Sequence, residues 1–563
     1  MTDAPRRRPA AIRTHRGTPM TTVFENGTVR TLEAHRPTAS TFAVRDGRIV
    51  AVGEDEVAGL TDIHERVDLL GRTVIPGLID VHNHHMIAGR KDLFEFKAAP
   101  TLGAEALFEA VEAYARELPE GAWITGGSVG SGLFPELDSP EALRRFDEVA
   151  HGHPAVLTDD SLHNRWANSL ALEIAGIGDG TPDPRGGSIA RDAEGRATGI
   201  LYEAGGMMVE KARERIAPFS SEDLERSSER AIEMLHGYGI TAFQDAATSF
   251  QTQQALQSLD ERGRLKAWVV TASPVEEFIF GIEPIGEEVI FAMEETRSTH
   301  HRPDFIKIFL DGVPPAKTAA FLEPYLDDSG CSDCNFGYMT MPQEDLASWL
   351  LRTAERGISA KIHATGDASA RAVLDAVEQV RRAGYHEPIY HIAHGQFIEP
   401  SDLPRFRELG VVADISPALW YPNVITESFK SVMPAERAAK VQPNRDLLDH
   451  GALVAAGSDW PVAVSPDPWP AIYSLITRQD PTRTMPGALW PEQAVTRQEA
   501  LEFATINPAR ALGIDDVTGS ISVGKSADFL VLDFDPMTCE LDELLQAQAL
   551  QTWFAGEKVF DRS

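Results

Sequence analysis

The sequence predicts an α/β fold in which eight parallel strands, each followed by a helix, close into a (β/α)8 barrel. Three observations predict it. Val74-Ile75-Pro76-Gly77-Leu78-Ile79-Asp80-Val81-His82-Asn83-His84 is an apolar run ending in a His-x-His pair, and side chains two apart on a strand share a face. Four later runs end the same way, in a residue able to bind metal: Phe305 to Gly312, Ser359 to Asp367, Ile389 to Gln396 and Leu453 to Trp460. Continuous apolar runs of this length suit strands buried on both faces. Helical stretches such as Glu344 to Gly357 and Ala368 to Ala383 lie between them, as a βα alternation requires.

Along the chain, residues 1–19 form a basic, Pro-containing leader with Arg6-Arg7-Arg8 and Arg13 to Arg16, expected to be disordered. No apolar core follows it, so it reads as neither a signal peptide nor an anchor, and Met20 is an alternative start. Residues 20–73 alternate as short strands, with hairpin signals at Asn26-Gly27 and Asp46-Gly47. Residues 74–98 hold strand one. Residues 99–217 do not fit a simple crossover and are expected to form an inserted subdomain over the strand C-terminal face. Residues 218–513 carry the rest of the barrel. Gly239 to Asp245 reads as strand two and Lys266 to Thr271 as strand three; Lys307 falls on strand four, His363 on five, His394 on six, Val411 to Ile415 on seven and Asp459 on eight. In residues 514–563, Ala527 to Asp533 and Thr552 to Val559 read as strands again.

Composition excludes several classes of function. A net charge of −33 over 563 residues argues against nucleic acid or an anionic membrane as partner. No apolar run approaches the length of a membrane span. Three cysteines indicate a reducing compartment, so a cytoplasmic protein is expected. Three motifs are discounted by context. Cys331-Ser332-Asp333-Cys334 has metal-ligand spacing but no second pair. His151-Gly152-His153 lies in a polar, Pro-flanked loop. Gly519 to Ser526 matches the phosphate-loop pattern letter for letter, yet a strand-like run follows it where a phosphate site needs a helix.

Five motifs taken in order carry a family resemblance: Pro76-Gly77-Leu78-Ile79-Asp80-Val81-His82-Asn83-His84, Lys307-Ile308-Phe309-Leu310-Asp311-Gly312, His363 with Gly366-Asp367, Ala393-His394-Gly395-Gln396, and Gly457-Ser458-Asp459-Trp460-Pro461. From about Thr21 onward the chain resembles the amidohydrolase superfamily of metal-dependent hydrolases. Within it, the chain is similar to the YtcJ-like group that includes N-substituted formamide deformylase. The resemblance implies a TIM-like barrel with a small β-sandwich built from both chain ends. It also implies metal ligands on strands one, four, five, six and eight, here His82, His84, Lys307, His363, His394 and Asp459. These would hold one or two divalent ions, zinc first, and a homodimer is expected by analogy.

Bound zinc lowers the pKa of its water to about 7, and the resulting hydroxide attacks an amide-type carbonyl. Asp459 is placed to take the proton and pass it to the leaving nitrogen. In several relatives the strand-four lysine is a carbamate bridging two metals; the alternative is a cationic Lys307 paired with a carboxylate such as Asp311. His85 is expected on the opposite face from His84, in packing or in a supporting hydrogen bond. Trp123, His163, Trp166, Phe309, Trp420 and Trp460 lie in or beside segments expected at the mouth, and suggest an apolar pocket for a ring or long acyl group. The alternative for any of these aromatics is plain packing; His163 is the candidate to orient the substrate carbonyl. No arginine cluster converges on the site in sequence. The expected reaction is hydrolysis of a C–N bond in an N-substituted amide, formamide or cyclic amide. Deamination, hydrolysis of an ester, lactone or carbamate, and a catalytically silent assembly protein are the alternatives; retention of every ligand argues against the last.

Overall fold

The computed structural model describes residues 20–160, 164–184, 187–276, 284–326 and 335–562. The leader, His163 and the Cys331/Cys334 pair lie outside the described residues. Eight strands form one sheet in sequence order, each parallel to the next: β1 (Leu78–Asn83), β2 (Ile240–Asp245), β3 (Trp268–Pro274), β4 (His301–Phe309), β5 (Ser359–Ala364), β6 (Tyr390–His394), β7 (Val411–Ile415) and β8 (Leu453–Ala456). Every residue of β1, β2, β3 and β7 is buried. That is why these strands read as unbroken apolar runs: side chains on both faces are enclosed, one set by the barrel interior and the other by helices. Ile79, Val81, Ala242, Val270, Phe305, Val412 and Ala455 fill one interior layer, and the helices pack on the outer residues such as Phe243, Ile306, Ile308 and Ile392.

The ring closes through the segment after β8. Asp459 N–H donates to His82 O at 2.7 Å, while Ser458 gives its N–H and Oγ–H to the Asp80 carboxylate at 2.9 and 2.6 Å. Gly457 is required at this crossing, since a Cβ there would fall 2.6 Å from His82 Cβ. The seam therefore locks the strand-eight candidate ligand against the strand-one pair.

Both chain ends meet in a second layer. Strand Phe529–Leu532 runs antiparallel to Thr73–Pro76, which in turn pairs with Thr28–Arg30. A four-stranded sheet containing Thr21–Glu25 and Phe42–Arg45 packs across it through Phe24, Phe42, Phe529 and Trp553, whose rings sit 4.9 to 5.4 Å apart. Two local expectations need correction. Asp46-Gly47, with both φ angles positive, turns a true hairpin between Phe42–Arg45 and Arg48–Val52. Asn26-Gly27 does not: its flanking strands belong to different sheets, so this turn hands the chain from one layer to the other. The Thr552 to Val559 run is likewise two strands, Gln551–Phe554 and Glu557–Asp561, hinged at Ala555-Gly556, where φ is again positive. No helix follows Gly519 to Ser526, and the Lys525 ammonium is engaged by Thr518 O and Ser520 Oγ.

Between β1 and the helix Ser221–Gly237 the insert builds its own five-stranded sheet, with a core of Phe108, Val111, Phe146, Trp166 and Ile200. It is tied to the barrel where Phe96 N–H and O bond Thr125 O and Gly127 N–H, at 2.8 and 2.7 Å.

Candidate metal centre

His82 and His84 end β1, Lys307 lies near the end of β4, His363 on β5, His394 at the end of β6, and Asp459 three residues past β8. Among the described residues, His82, His84 and Asp459 each offer one ligand atom, all within 4.8 Å of one another. Asp459 Oδ1 stands 3.6 Å from His82 Nε2 and 3.4 Å from His84 Nε2. The His82 and His394 rings are 4.7 Å apart between centroids, as are His394 and His363. Four imidazoles and a carboxylate thus converge at the C-terminal end of the barrel. His394 and Asp459 both hold left-handed backbone, at φ of 71° and 58°. Non-glycine residues adopt that conformation uncommonly, at turns and at strained functional positions.

The environment sets the protonation states. Burial, with help from the Lys361 and Lys307 charges, pushes the His82 pKa well below its usual value. Burial does the same to His394. Neutral imidazoles are the form that ligates metal. His82 Nε2 is buried without a hydrogen-bond partner, which in an interior is costly unless something binds it. Burial, reinforced by Lys361, brings the Lys307 ammonium down to about 7. Burial acts to raise Asp459, but its hydrogen bond with His84 and the nearby His394 outweigh it, so the carboxyl titrates below its usual range. A donor set of imidazoles, a carboxylate and a readily deprotonated lysine fits a divalent transition metal such as zinc.

Supporting contacts orient these groups. His394 Nδ1 is 3.1 Å from Ser416 Oγ, and His363 Nε2 donates to Gly312 O at 3.1 Å. Lys361, Asp414 and Asp245 were not singled out from sequence, although charged residues inside apolar strands signal buried partners. Asp414 Oδ2 lies 3.4 Å from His82 Nδ1 and takes the Lys361 ammonium. Asp245 takes His85 Nδ1–H, and His85 Nε2 is 3.1 Å from Ser228 Oγ. His85 therefore anchors the helix α1 (His85–Phe94) away from the cluster.

The Lys307–Asp311 pair does not form. Asp311 accepts instead from Ala320 N–H, Thr365 N–H and Gly366 N–H, each at 3.0 Å, and from Ser369 Oγ–H at 2.6 Å. These bonds staple the loops after β4 and β5 together. Lys307 Nζ lies 4.7 Å from the centre of the Phe309 ring, and Phe309 is also beside His363. Trp460, almost fully buried, gives its carbonyl to His84 N–H at 2.7 Å. Trp166 is enclosed in the insert, stacked on Phe146 at 4.2 Å, and Trp123 packs on the other core of the insert. Trp420 is enclosed beneath the Arg478 guanidinium, 4.1 Å away. The Trp166 and Trp420 rings pack the protein and have no surface left for a ligand. The His151/His153 pair splits, His153 Nδ1–H donating to Ala122 O at 2.8 Å.

The amidohydrolase family model matches residues 65–560. The chain is 32% identical over 556 residues to N-substituted formamide deformylase of Arthrobacter pascens, covering 96% of this chain and 98% of that protein. It is 25% identical over 557 residues to the putative amidohydrolase YtcJ of Bacillus subtilis (strain 168), covering 97% and 100%. The structure of an uncharacterized metal-dependent hydrolase from Pyrococcus horikoshii OT3 superposes with a TM-score of 0.73 at 22% identity, covering 92% of this chain and 99% of that one. The chain belongs to the amidohydrolase family and is a metal-dependent hydrolase acting on carbon–nitrogen bonds.

Proposed function

We propose that the chain hydrolyses the C–N bond of an N-substituted amide, formamide or cyclic amide at a centre held by His82, His84, Lys307, His363, His394 and Asp459. The observation that carries this reading is the buried His82 ring, supported at Nδ1 by Asp414 and presenting an Nε2 with no hydrogen-bond partner toward the Asp459 carboxylate. The likeness to N-substituted formamide deformylase supports the substrate class. When bound, one or two divalent ions, zinc first, would bring the pKa of a water to about 7 and polarise the scissile carbonyl. Asp459, ionised at neutral pH, takes a proton from the attacking water and returns it to the leaving nitrogen. With Lys307 held at about 7, much of its amine is neutral at physiological pH. It could then add carbon dioxide, forming an N–C bond and losing one proton, to become an anionic carbamate that would help hold the metal. Phe309 remains as the aromatic group beside the cluster that would meet an apolar part of the substrate, since the Trp460 ring is enclosed in the core.

A screen of metal-loaded enzyme against N-formyl, N-acyl and cyclic amides, esters and lactones tests the reading. Turnover of an N-substituted amide is expected, falling by about 10²- to 10⁴-fold in Asp459→Asn. Turnover of esters or lactones alone, or unchanged activity in Asp459→Asn, overturns it.

A further inference from the structure

A chamber of about 150 Å³ lies between α1, the insert and the loop after β2. Arg90, Lys91, Arg165 and Arg213 line it, together with Glu95, Glu210 and Glu214. These arginines come from three distant stretches of sequence and converge only in the fold. The carboxylates are already engaged. Glu210 accepts from Arg165 Nε at 2.8 Å and Arg213 Nε at 3.3 Å; burial alone would raise its pKa, but the arginines hold it at about 2. Glu95 accepts from Arg90 Nε at 2.7 Å, and Glu214 from Arg213 Nη2 at 2.8 Å. Asp245, also in the wall, is held by His85 and by Ala247 N–H at 3.2 Å.

Two of the donors, Arg90 and Lys91, are not fully engaged. Arg90 uses only Nε: among the described residues neither Nη atom has a hydrogen-bond partner, and the side chain remains 28% exposed. Its guanidinium lies 5.2 Å from the centre of the Phe219 ring, and so does that of Arg213, which makes Phe219 the apolar wall. Lys91 donates once, to Ser128 Oγ at 3.2 Å, and has no ion pair among the described residues. Burial lowers its pKa despite the attraction of the nearby Glu95 carboxylate. The helix carrying both cations starts at His85, directly after His84, so they stand roughly 9–11 Å along it from the histidine pair. Asp245 bridges the two regions, touching His85 on one side and adding its charge to the surroundings of Lys307 on the other.

We propose that this chamber receives the carboxylate end of the substrate, an N-substituted amide that carries an anionic group on a short chain. The proposal rests on the amide-hydrolase reading of the metal centre and specifies which amides it takes. Guanidinium and ammonium donors are the groups that recognise a carboxylate. A volume of about 150 Å³, which elsewhere holds a molecule the size of benzene, admits a carboxylate on a short chain or ring and excludes bulkier polyanions.

Two measurements on the full-length protein test it. In calorimetric titration of the metal-free protein, hexanoate is expected to bind saturably, 1-hexanol not, and Lys91→Gln to weaken hexanoate about tenfold. With metal restored, N-formyl-6-aminohexanoate is expected to be preferred over its methyl ester through a lower KM. That preference is expected to fall about tenfold in Lys91→Gln and in Arg90→Gln, both checked for native melting. Hexanoate that fails to bind, or binds Lys91→Gln equally well, overturns the chamber's role, as does equal turnover of acid and ester. Hexanoate binding that responds to Lys91→Gln, without hydrolysis of any amide, keeps the carboxylate site and overturns the amide reading instead.

Discussion

Lys361 and Asp414 form an ion pair in which neither side chain has any solvent exposure, directly beneath the histidine cluster. The Lys361 ammonium also donates to Val81 O at 2.9 Å, and Asp414 Oδ2 sits 3.4 Å from His82 Nδ1 and 3.5 Å from His391 Nδ1. Lys361 and His82 together hold the Asp414 pKa well below its usual value despite burial. The pair thus fixes which edge of the His82 ring is left for a metal.

Removing one partner leaves the other as an uncompensated buried charge. Asp414→Leu or Lys361→Met alone is expected to cost about 3–5 kcal/mol in denaturant unfolding. The double variant is expected to recover most of that loss yet bind metal about 10- to 100-fold more weakly, because His82 has lost its support. Undiminished metal affinity in the folded double variant would show the pair to be structural only.

Two glycines set close approaches that no larger residue can share. At Gly89, where α1 crosses the helix Ser221–Gly237, a Cβ would lie 1.9 Å from Ser227 O. Gly89→Ala is expected to destabilise by about 1–3 kcal/mol through helix displacement. Gly457→Ala pushes β8 away from His82 and is expected to reduce metal content as well as stability. Metal analysis beside thermal melts separates the two effects: Gly89→Ala should retain metal where Gly457→Ala does not.

Acid is expected to destabilise the fold between pH about 6.5 and 4. His301, with Nδ1–H donating to Thr296 O at 3.0 Å and Nε2 accepting from Thr271 Oγ1 at 2.9 Å, is buried neutral, and burial lowers it to about 4. Burial brings His236 to about 4 as well. As pH falls through 6.5 the unfolded chain binds these protons and the folded chain does not, so stability drains at about 1.4 kcal/mol per pH unit for each. Asp311, pushed up to about 6 by burial, acts in the opposite sense and offsets about one of them. His301→Gln should flatten the slope by about one proton in unfolding curves taken at pH 7, 6, 5 and 4. An unchanged slope would contradict the assignment.

The legible part of the molecule was whatever a local pattern determines. Apolar runs ending in His82, His363, His394 and Asp459 announce strands and their C-terminal ends because both faces of those strands are buried. Asn26-Gly27 has the same turn chemistry as Asp46-Gly47, yet which sheet receives the next strand is decided by long-range pairing. Trp166 and Trp420 stand near motif segments in sequence, and only the packing of Phe146 and Arg478 reveals them as enclosed. Lys361 and Asp414 lie on strands two apart in the barrel, so their pairing needs the barrel interior to be seen. Arg90, Arg165 and Arg213 are unremarkable singly and become a site only when the insert docks on α1.

The central claim is that His82, His84, Lys307, His363, His394 and Asp459 hold the catalytic metal. Its most direct test is elemental analysis of the purified full-length protein, wild type beside a His82→Asn/His84→Asn variant. The account predicts one to two equivalents of zinc or another divalent transition metal per chain in the wild type, lost from the variant together with amide hydrolysis while the fold persists. Full metal content in the variant, or wild-type hydrolysis that survives complete removal of metal, would contradict it.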